Sequence, residues 1–201
     1  MPEIDRNSTV GIGRDAIRKE IAALEKCLAN LGDPFWKTAN HLLDCRGIVW
    51  VTAVGTSAAV GERFAHILTC AGVRSMFLSP LDGLHGHTRV FQPQEVLIAM
   101  SRGGESHEVN QMVAIANQLG LTTIAFVNNP ESTLAKSSSL VLPIQSDARD
   151  ELKGVLATTS TVVYSAVCDA LCAVVAEAKG FDPQSFGQVH PGGAVGKALS
   201  S

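Results

Sequence analysis

Five short runs of β-branched and other apolar residues, separated by helix-forming segments, constrain the fold of this chain more than any other feature. The runs lie at 47–54, 75–78, 95–100, 122–127 and 139–144. Such runs are typical of strands buried on both faces, and strands that alternate with helices form βαβ units with a parallel sheet. The pattern predicts a three-layer α/β/α sandwich around a five-stranded parallel sheet.

A helical hairpin is predicted ahead of the first strand. Apolar residues recur at steps of four and three: Ile17, Ile21, Leu24, Leu28 and Leu31. This stripe indicates an amphipathic helix that ends at the Gly-Asp-Pro sequence of 32–34, and a second helix is expected over 34–44. Because the stripe needs a surface to cover, we expect residues 1–45 to pack on the domain of residues 46–201 or on a neighbouring subunit, within a single structural domain overall.

The composition limits the class of function. Of the 201 residues, 46% are hydrophobic and 17% charged, as in a compact globular domain. The net charge of -3, without a block of Lys or Arg, gives no reason to expect nucleic acid or a membrane surface as a partner. No apolar run approaches the roughly 18–20 residues of a membrane span, and the N-terminus lacks the order of a signal peptide, so we expect a cytoplasmic location.

The cysteines and histidines do not indicate a metal site. The five cysteines are Cys27, Cys45, Cys70, Cys168 and Cys172. They show neither CxxC spacing nor nearby histidines, so we interpret them as reduced, largely buried thiols. His85 and His87 lie two residues apart, but the sequence offers no convincing third ligand. We expect no metal and no redox cofactor.

Two strand-to-helix loops are rich in small and hydroxyl residues. Gly55, Thr56 and Ser57 follow the first strand, and "SRGGES", 101–106, follows the third. Ligands of such sheets bind at the carboxyl ends of the strands, where glycines permit close approach and helix N-termini attract anions. The loops predict a phosphate cradle, although each hydroxyl alone could be a helix N-cap. Neither loop is a nucleotide signature, which favours a small phosphorylated ligand.

The order of these motifs resembles the sugar isomerase (SIS) domain family. "GTS" and "SRGGES" are followed by "NNPESTLAKSSSLVLPI", by "ATTST" near the start of a long helix predicted over about 155–178, and by "GFDPQSFGQVHPGGAVGKAL". The resemblance covers about 45–199 and is closest to the arabinose-5-phosphate isomerase branch. It implies a flavodoxin-like SIS domain that acts on a phosphorylated sugar without a cofactor, as a homodimer or homotetramer with shared active sites.

The resemblance also implies roles for individual residues. Substrate binding is expected at Gly55, Thr56, Ser57, Ser101, Arg102, Gly103, Ser106, Thr158 and Ser160. Chemistry is expected at His190 in "VHPGG", Glu108 in "SHEV" and His85 in "GLHGH". Imidazole and carboxylate groups suit an aldose-ketose isomerisation, in which a proton leaves the carbon next to a carbonyl and returns to its neighbour through an enediol.

Several of these residues also have purely structural interpretations. Glu108 could complement the dipole of its helix, and the hydroxyls of "ATTST", 157–161, could cap the long helix instead of touching the sugar. A lone loop histidine such as His190 is often an exposed residue. In the turn "NNPEST", 128–133, Ser132 is expected to be exposed to solvent.

Three positions depart from the family pattern. Gly103 stands where the family has a serine, with Arg102 as a possible replacement, and Thr56 stands where it has a lysine. In an ungapped match Arg149 falls on a family glutamate, with Asp150 and Glu151 adjacent. A non-catalytic sugar-phosphate sensor therefore remains an alternative, as does a lyase or deaminase-like reaction on an amino-sugar phosphate.

The C-terminal end of the sequence also differs from many members of the arabinose-5-phosphate isomerase branch. Its members often carry a C-terminal pair of regulatory CBS domains, whereas this sequence stops at Ser201, the last residue of "GKALSS". We therefore expect either a short form without these domains or a part of a longer protein.

Overall fold

The five predicted strands form one parallel sheet in a computed structural model of the chain, which describes residues 5–199 except for the side chain of Val195. The strands are β1 (Val49–Ala53), β2 (Ser75–Phe77), β3 (Val96–Met100), β4 (Thr122–Val127) and β5 (Leu140–Pro143). Their order is β2-β1-β3-β4-β5, and all four pairings are parallel. This is the flavodoxin-like order, so the predicted fold class is confirmed.

Helices cover both faces of the sheet. They are α1 (Arg6–Ala29), α2 (Asp33–Asp44), α3 (Thr56–Cys70), α4 (Pro80–Leu84), α5 (His107–Gln118), α6 (Thr133–Ser137), α7 (Thr159–Ala178), α8 (Pro183–Val189) and α9 (Gly193–Leu199). Two 3-10 turns lie at His87–Val90 and Ala148–Asp150. Helices α2, α3 and α7 form the layer on one face, and α4, α5 and α6 form the layer on the other.

The alternation of side chains along each strand divides the interior into two cores. On β3, Ile98 and Met100 belong to the core shared with α3 and α7, whereas Leu97 and Ala99 belong to the core shared with α5. Every residue of β1 and β3 is buried. The unbroken apolar runs in the sequence follow from this coverage on both faces.

Helix α7 corrects the expectation that no apolar segment would be long enough to span a membrane. By length and composition α7 passes that test, and half of its most apolar 18-residue window is buried inside the fold. It packs against α1, α2 and α3. Its apolar composition is therefore explained by its place in the core of the domain.

The N-terminal hairpin packs on the domain but leaves one face of α1 uncovered. Helix α1 contacts α7, and α2 contacts α7 and β5. Within the predicted stripe, Leu24 packs against the core, whereas Ile17, Ile21 and Leu28 are 58%, 50% and 71% exposed. The amphipathic stripe thus exceeds the surface that a single chain provides for it.

Helix α7 begins later than the sequence pattern indicates. The expected helix over about 155–178 starts at Thr159 instead, after a compact loop. In that loop Lys153 and Gly154 both have positive φ angles, 56° and 75°, and Leu152 pairs with Leu156 in an isolated β-bridge. This reversal of the backbone decides which side chain between 145 and 158 turns inward.

Candidate functional site

Helices α3 and α5 begin side by side at the carboxyl edge of the sheet, because they follow the paired strands β1 and β3. Neither first turn is capped by a side chain: Gly55 has none, and the Ser106 hydroxyl makes no capping hydrogen bond. The Ser106 Oγ lies 3.0 Å from the Ser101 Oγ instead. The first backbone N–H groups of both helices thus remain available to an anion, and the interpretation of Ser106 as a simple N-cap is wrong.

Hydrogen bonds of Gly104 fix the turn that carries Ser101 and Ser106. The Gly104 N–H donates to the Ser101 Oγ at 3.1 Å, and the Gly104 carbonyl accepts from the Leu134 N–H at 3.0 Å. Gly104 has a φ of 72°, and a Cβ atom there would collide with the Ser132 side chain. Only glycine satisfies both conditions.

Ser132 is buried, at 1% exposure, which corrects the expectation that it would be exposed. Its hydroxyl accepts from the Ala135 N–H at 3.3 Å and so caps α6. Because the turn of 101–106 folds over the start of α6, it encloses this serine. The contact is a tertiary one that local turn composition does not reveal.

Two other residues of this turn, Glu105 and Gly103, add no side-chain donor to the cradle. The Glu105 carboxylate accepts from the Thr133 N–H at 3.0 Å and from the Thr133 hydroxyl at 2.7 Å. These hydrogen bonds lower the pKa of Glu105. Gly103 is exposed, and a Cβ atom at this position would meet nothing within 4 Å. The middle of the turn therefore offers space but no side-chain donor.

Arg102 turns towards the space between α3 and α7. Its Nε lies 3.1 Å from the Ser146 Oγ, to which it donates, and 3.5 Å from the Glu151 Oε1. The Arg102 side chain is 32% exposed and that of Glu151 is 2% exposed. A guanidinium has five N–H donors, so this anchoring through Nε leaves the terminal amino groups for a ligand.

Glu151, and not Arg149, is the residue of this loop that reaches the site. Arg149 is 88% exposed and pairs with Asp147 on the surface. The Glu151 carboxylate accepts from the Thr158 N–H at 2.7 Å and from the Ser160 N–H at 3.3 Å. Glu151 therefore occupies the N-terminus of α7, the position that a bound anion would otherwise take.

The two predicted residues at the start of α7 differ in what their hydroxyls do. The Thr158 hydroxyl accepts from the Leu152 N–H at 3.1 Å, so it holds the preceding loop. Ser160 is buried and lines a small cavity of about 60 Å³. The same cavity is lined by Thr56, Ser57, Val60, Arg102, Ala157, Thr161 and Tyr164. The structure thus brings residues of the first loop, the second loop and α7 together around one cavity.

Glu108 and His85 both lie on the α5 side of this edge. Glu108 is exposed in the first turn of α5, and His85 is exposed at the end of α4. Helix α4 lies close against α5, since a Cβ atom at Gly83 would collide with Met112, one turn after Glu108. Both side chains are exposed to solvent on this side of the sheet.

His190 lies at the other end of the domain. Its ring stacks on Phe186 at 5.2 Å, and Phe186 shares the walls of a surface pocket with Cys70 and Gly72 at the end of α3. Helix α3 begins at the cradle and is about 22 Å long at 1.5 Å per residue. Within one chain, the structure does not bring His190 and Glu108 together.

The described residues contain no group of three or more His, Cys, Asp and Glu side chains arranged to hold a metal ion. All five cysteines are free. Burial raises the pKa of Cys27, Cys168 and Cys172, which keeps these thiols protonated at neutral pH.

Comparison with known proteins places these features in a family. The model of the SIS domain matches residues 41–174. The arabinose 5-phosphate isomerase KdsD of Pseudomonas aeruginosa is 34% identical over 191 residues, which cover 95% of this chain and 56% of that protein. The chain thus spans little more than half the length of this curated relative.

Solved structures share the fold over nearly the whole chain. A Listeria monocytogenes protein, described as a candidate sugar-phosphate isomerase, has a TM-score of 0.89 at 25% identity over 94% of this chain and 100% of its own. An Escherichia coli protein in complex with arabinose 5-phosphate has a TM-score of 0.88 at 24% identity over 93% of this chain and 100% of its own. The likeness extends beyond residues 41–174 to the N-terminal helices, because the matched span exceeds the sheet domain.

Proposed function

The chain belongs to the SIS domain family, and on that premise we propose that it is a sugar-phosphate isomerase, similar to the arabinose-5-phosphate isomerases, which interconverts an aldose and a ketose phosphate. One observation carries the proposal: α3 and α5 begin at one edge of the sheet without side-chain caps, next to Ser57, Ser101 and Ser106. Backbone N–H groups, hydroxyls and two positive helix ends together suit a phosphate group.

The chemistry is assigned to residues around this anchored phosphate. Glu108, in the first turn of α5, is suited to remove the proton from the carbon next to the sugar carbonyl. The proton then returns to the neighbouring carbon, so that an enediol links aldose and ketose with no net gain or loss of atoms. His85, on the same side of the edge, is assigned a polar contact to the sugar.

We also propose that the site is shared between subunits of a homodimer or homotetramer. His190 lies at the far end of its own chain from Glu108, so a reaction that uses both residues needs His190 from a second copy. The exposed apolar face of α1, with Ile21 and Leu28, lies beside Ala166 and Ala170 of α7 and suits such a contact. The cytoplasmic location expected from the sequence stays a prediction.

The proposed activity is tested with arabinose 5-phosphate and a panel of pentose and hexose phosphates in deuterated water. We expect isomerisation of at least one of them, with deuterium entering at the carbon next to the carbonyl. Binding of a sugar phosphate without any exchange across the panel would reject the isomerase and establish the sensor instead.

The shared site is tested with two variants that are inactive alone, Glu108→Gln and His190→Ala. In a mixed dimer, one site combines the intact Glu108 and the intact His190, and the other combines both substitutions. Subunits that are mixed and reassembled at equal amounts should regain about a quarter of the activity of the unmodified protein, because half of the dimers are mixed and each has one intact site. No recovery in verified mixed dimers would place both residues in one chain or remove one of them from the site.

A further inference from the structure

The hydroxyl of Tyr164 has no hydrogen-bond partner among the described residues, although it is fully enclosed. The residue as a whole is only 3% exposed. Buried hydroxyls are almost always paired, because leaving one unpaired forfeits its hydrogen bond to water. An unpaired phenol at this place therefore indicates a partner that the chain itself does not supply.

Tyr164 lines the 60 Å³ cavity at the candidate site, which gives its hydroxyl a place for that partner. A single water needs only about 10–15 Å³, so the cavity admits a polar group of several heavy atoms. Ser160 and Tyr164 are four residues apart in α7 and so lie on one face of the helix. Thr56 and Ser57, in the first turn of α3, form the opposite wall.

The chemistry of the cavity walls favours a group that only accepts hydrogen bonds. The terminal amino groups of Arg102 have no partner among the described residues and can only donate. The N–H groups in the uncapped first turn of α3 also only donate. Burial raises the pKa of Tyr164, although the nearby Arg102 acts to lower it, so the phenol is protonated at neutral pH and can donate as well. A phosphate group has acceptor oxygens in several directions, and it meets all of these donors.

Glu151 orients Arg102 for such a ligand, and the negative charge of Glu151 is itself compensated. The carboxylate lies 3.5 Å from the Arg102 Nε and orients the guanidinium. At the same time it accepts from the N–H groups of Thr158 and Ser160, so its charge is offset by the positive end of α7.

We propose that Tyr164, together with Arg102, binds the phosphate group of the phosphosugar in this cavity and supplies the hydroxyl donor that Gly103 lacks. The inference rests on the proposed function, because it places the phosphate of that substrate.

Tyr164 is the only tyrosine in the chain, which allows it to be observed directly. With ¹³C at the ring Cζ of tyrosine, the protein has one such NMR signal. Titration with inorganic phosphate should shift this signal saturably, with the same Kd that calorimetry gives for phosphate. The same shift is expected with arabinose 5-phosphate.

Tyr164→Phe removes the hydroxyl and keeps the ring. We expect the Kd for both phosphate and arabinose 5-phosphate to rise about tenfold, the effect of losing one hydrogen bond to a charged group. Ser165→Ala, at the next position of α7, is the matched control and should leave both Kd values unchanged. Because Tyr164→Phe removes an unpaired buried hydroxyl, its ligand-free denaturation midpoint should equal or exceed that of the unmodified protein.

The outcomes separate this proposal from the proposed function. Phosphate could bind without changing the chemical shift of the tyrosine signal, and with the same Kd in Tyr164→Phe as in the unmodified protein. That result would refute the role of Tyr164 but would leave the proposed phosphosugar site in place. If the unmodified protein binds neither phosphate nor any sugar phosphate, both proposals fail. The NMR titration uses unmodified protein, so the test holds even if the variant folds poorly.

Discussion

Glu151 and Arg102 lie 3.5 Å apart, Oε1 to Nε, where the loop before α7 meets the loop after β3. The carboxylate is buried and also holds the first turn of α7, whereas the guanidinium is partly open to the cavity. One side chain thus fixes the start of a helix and the direction of an arginine. This ties the stability of the loop to the geometry of the site.

Replacement of Glu151 with Gln should destabilise the fold. The amide cannot satisfy the Thr158 and Ser160 N–H groups and also balance the Arg102 charge. We expect the free energy of unfolding to fall by about 1–3 kcal/mol, the usual cost of an unsatisfied buried donor. Urea denaturation measures the change, and the Kd for phosphate should rise because Arg102 loses its anchor.

Arg149→Gln is the matched control in the same loop. Arg149 is on the surface and pairs with Asp147, so the unfolding free energy of the variant should stay within about 0.5 kcal/mol of that of the unmodified protein. A larger loss with Arg149→Gln than with Glu151→Gln would contradict the arrangement of this loop.

Substitution of two serines near the cradle should have different effects, one on phosphate binding and the other on stability. Ser106 makes no capping bond, so Ser106→Ala should weaken phosphate binding with little change in stability. Ser132 caps α6, so Ser132→Ala should cost about 1 kcal/mol of unfolding free energy without a direct loss of affinity. Calorimetric titration and urea denaturation of both variants check the pair. Equal stability losses in the two would refute the assignment of the Ser106 hydroxyl to a ligand.

Adjacent glycines in the same turn should respond in opposite ways to a side chain. At Gly103 a Cβ atom has open space, so Gly103→Ser should fold normally and tighten phosphate binding several-fold by adding a donor. At Gly104 a Cβ atom collides with Ser132 and φ is positive, so Gly104→Ser should lose roughly 2–4 kcal/mol of unfolding free energy. Thermal denaturation with and without phosphate distinguishes the two. If Gly103→Ser weakened binding, the phosphate would not lie against this turn.

The hydrogen bonds of Glu105 should make part of the stability depend on pH. The Thr133 N–H and hydroxyl hold the pKa of Glu105 below its usual 4.5. A lowered folded-state pKa gives stability that is present above the unfolded pKa and is lost as the pH falls through the folded one. The stability difference between the unmodified protein and Glu105→Gln should therefore be largest near neutral pH and shrink below about pH 4.5. A stability difference between the two proteins that grows as the pH falls would contradict a lowered pKa of Glu105 in the folded state.

The sequence by itself determined the architecture and the edge at which the site lies. Runs of β-branched residues that alternate with helical segments specify a parallel sheet. The side-chain periods of strands and helices can be read from neighbouring residues, and the crossover connections between parallel strands are nearly always right-handed. Glycine and hydroxyl residues after β1 and β3 then fall at one edge by topology alone. The inclusion of Thr56, Ser57 and Arg102 in one cavity follows from this topology, whereas Ser160 lines the same cavity from α7, where the sequence left its role open.

The tertiary structure alone decided which side chains face that edge. The reversal at Lys153 and Gly154 turns Glu151 inward and leaves Arg149 on the surface, although the two are only two residues apart. The burial of Ser132 and the unpaired hydroxyl of Tyr164 likewise depend on elements far away in the chain. Local patterns specify the period of each element, whereas the direction of a loop side chain depends on which distant surface packs against it.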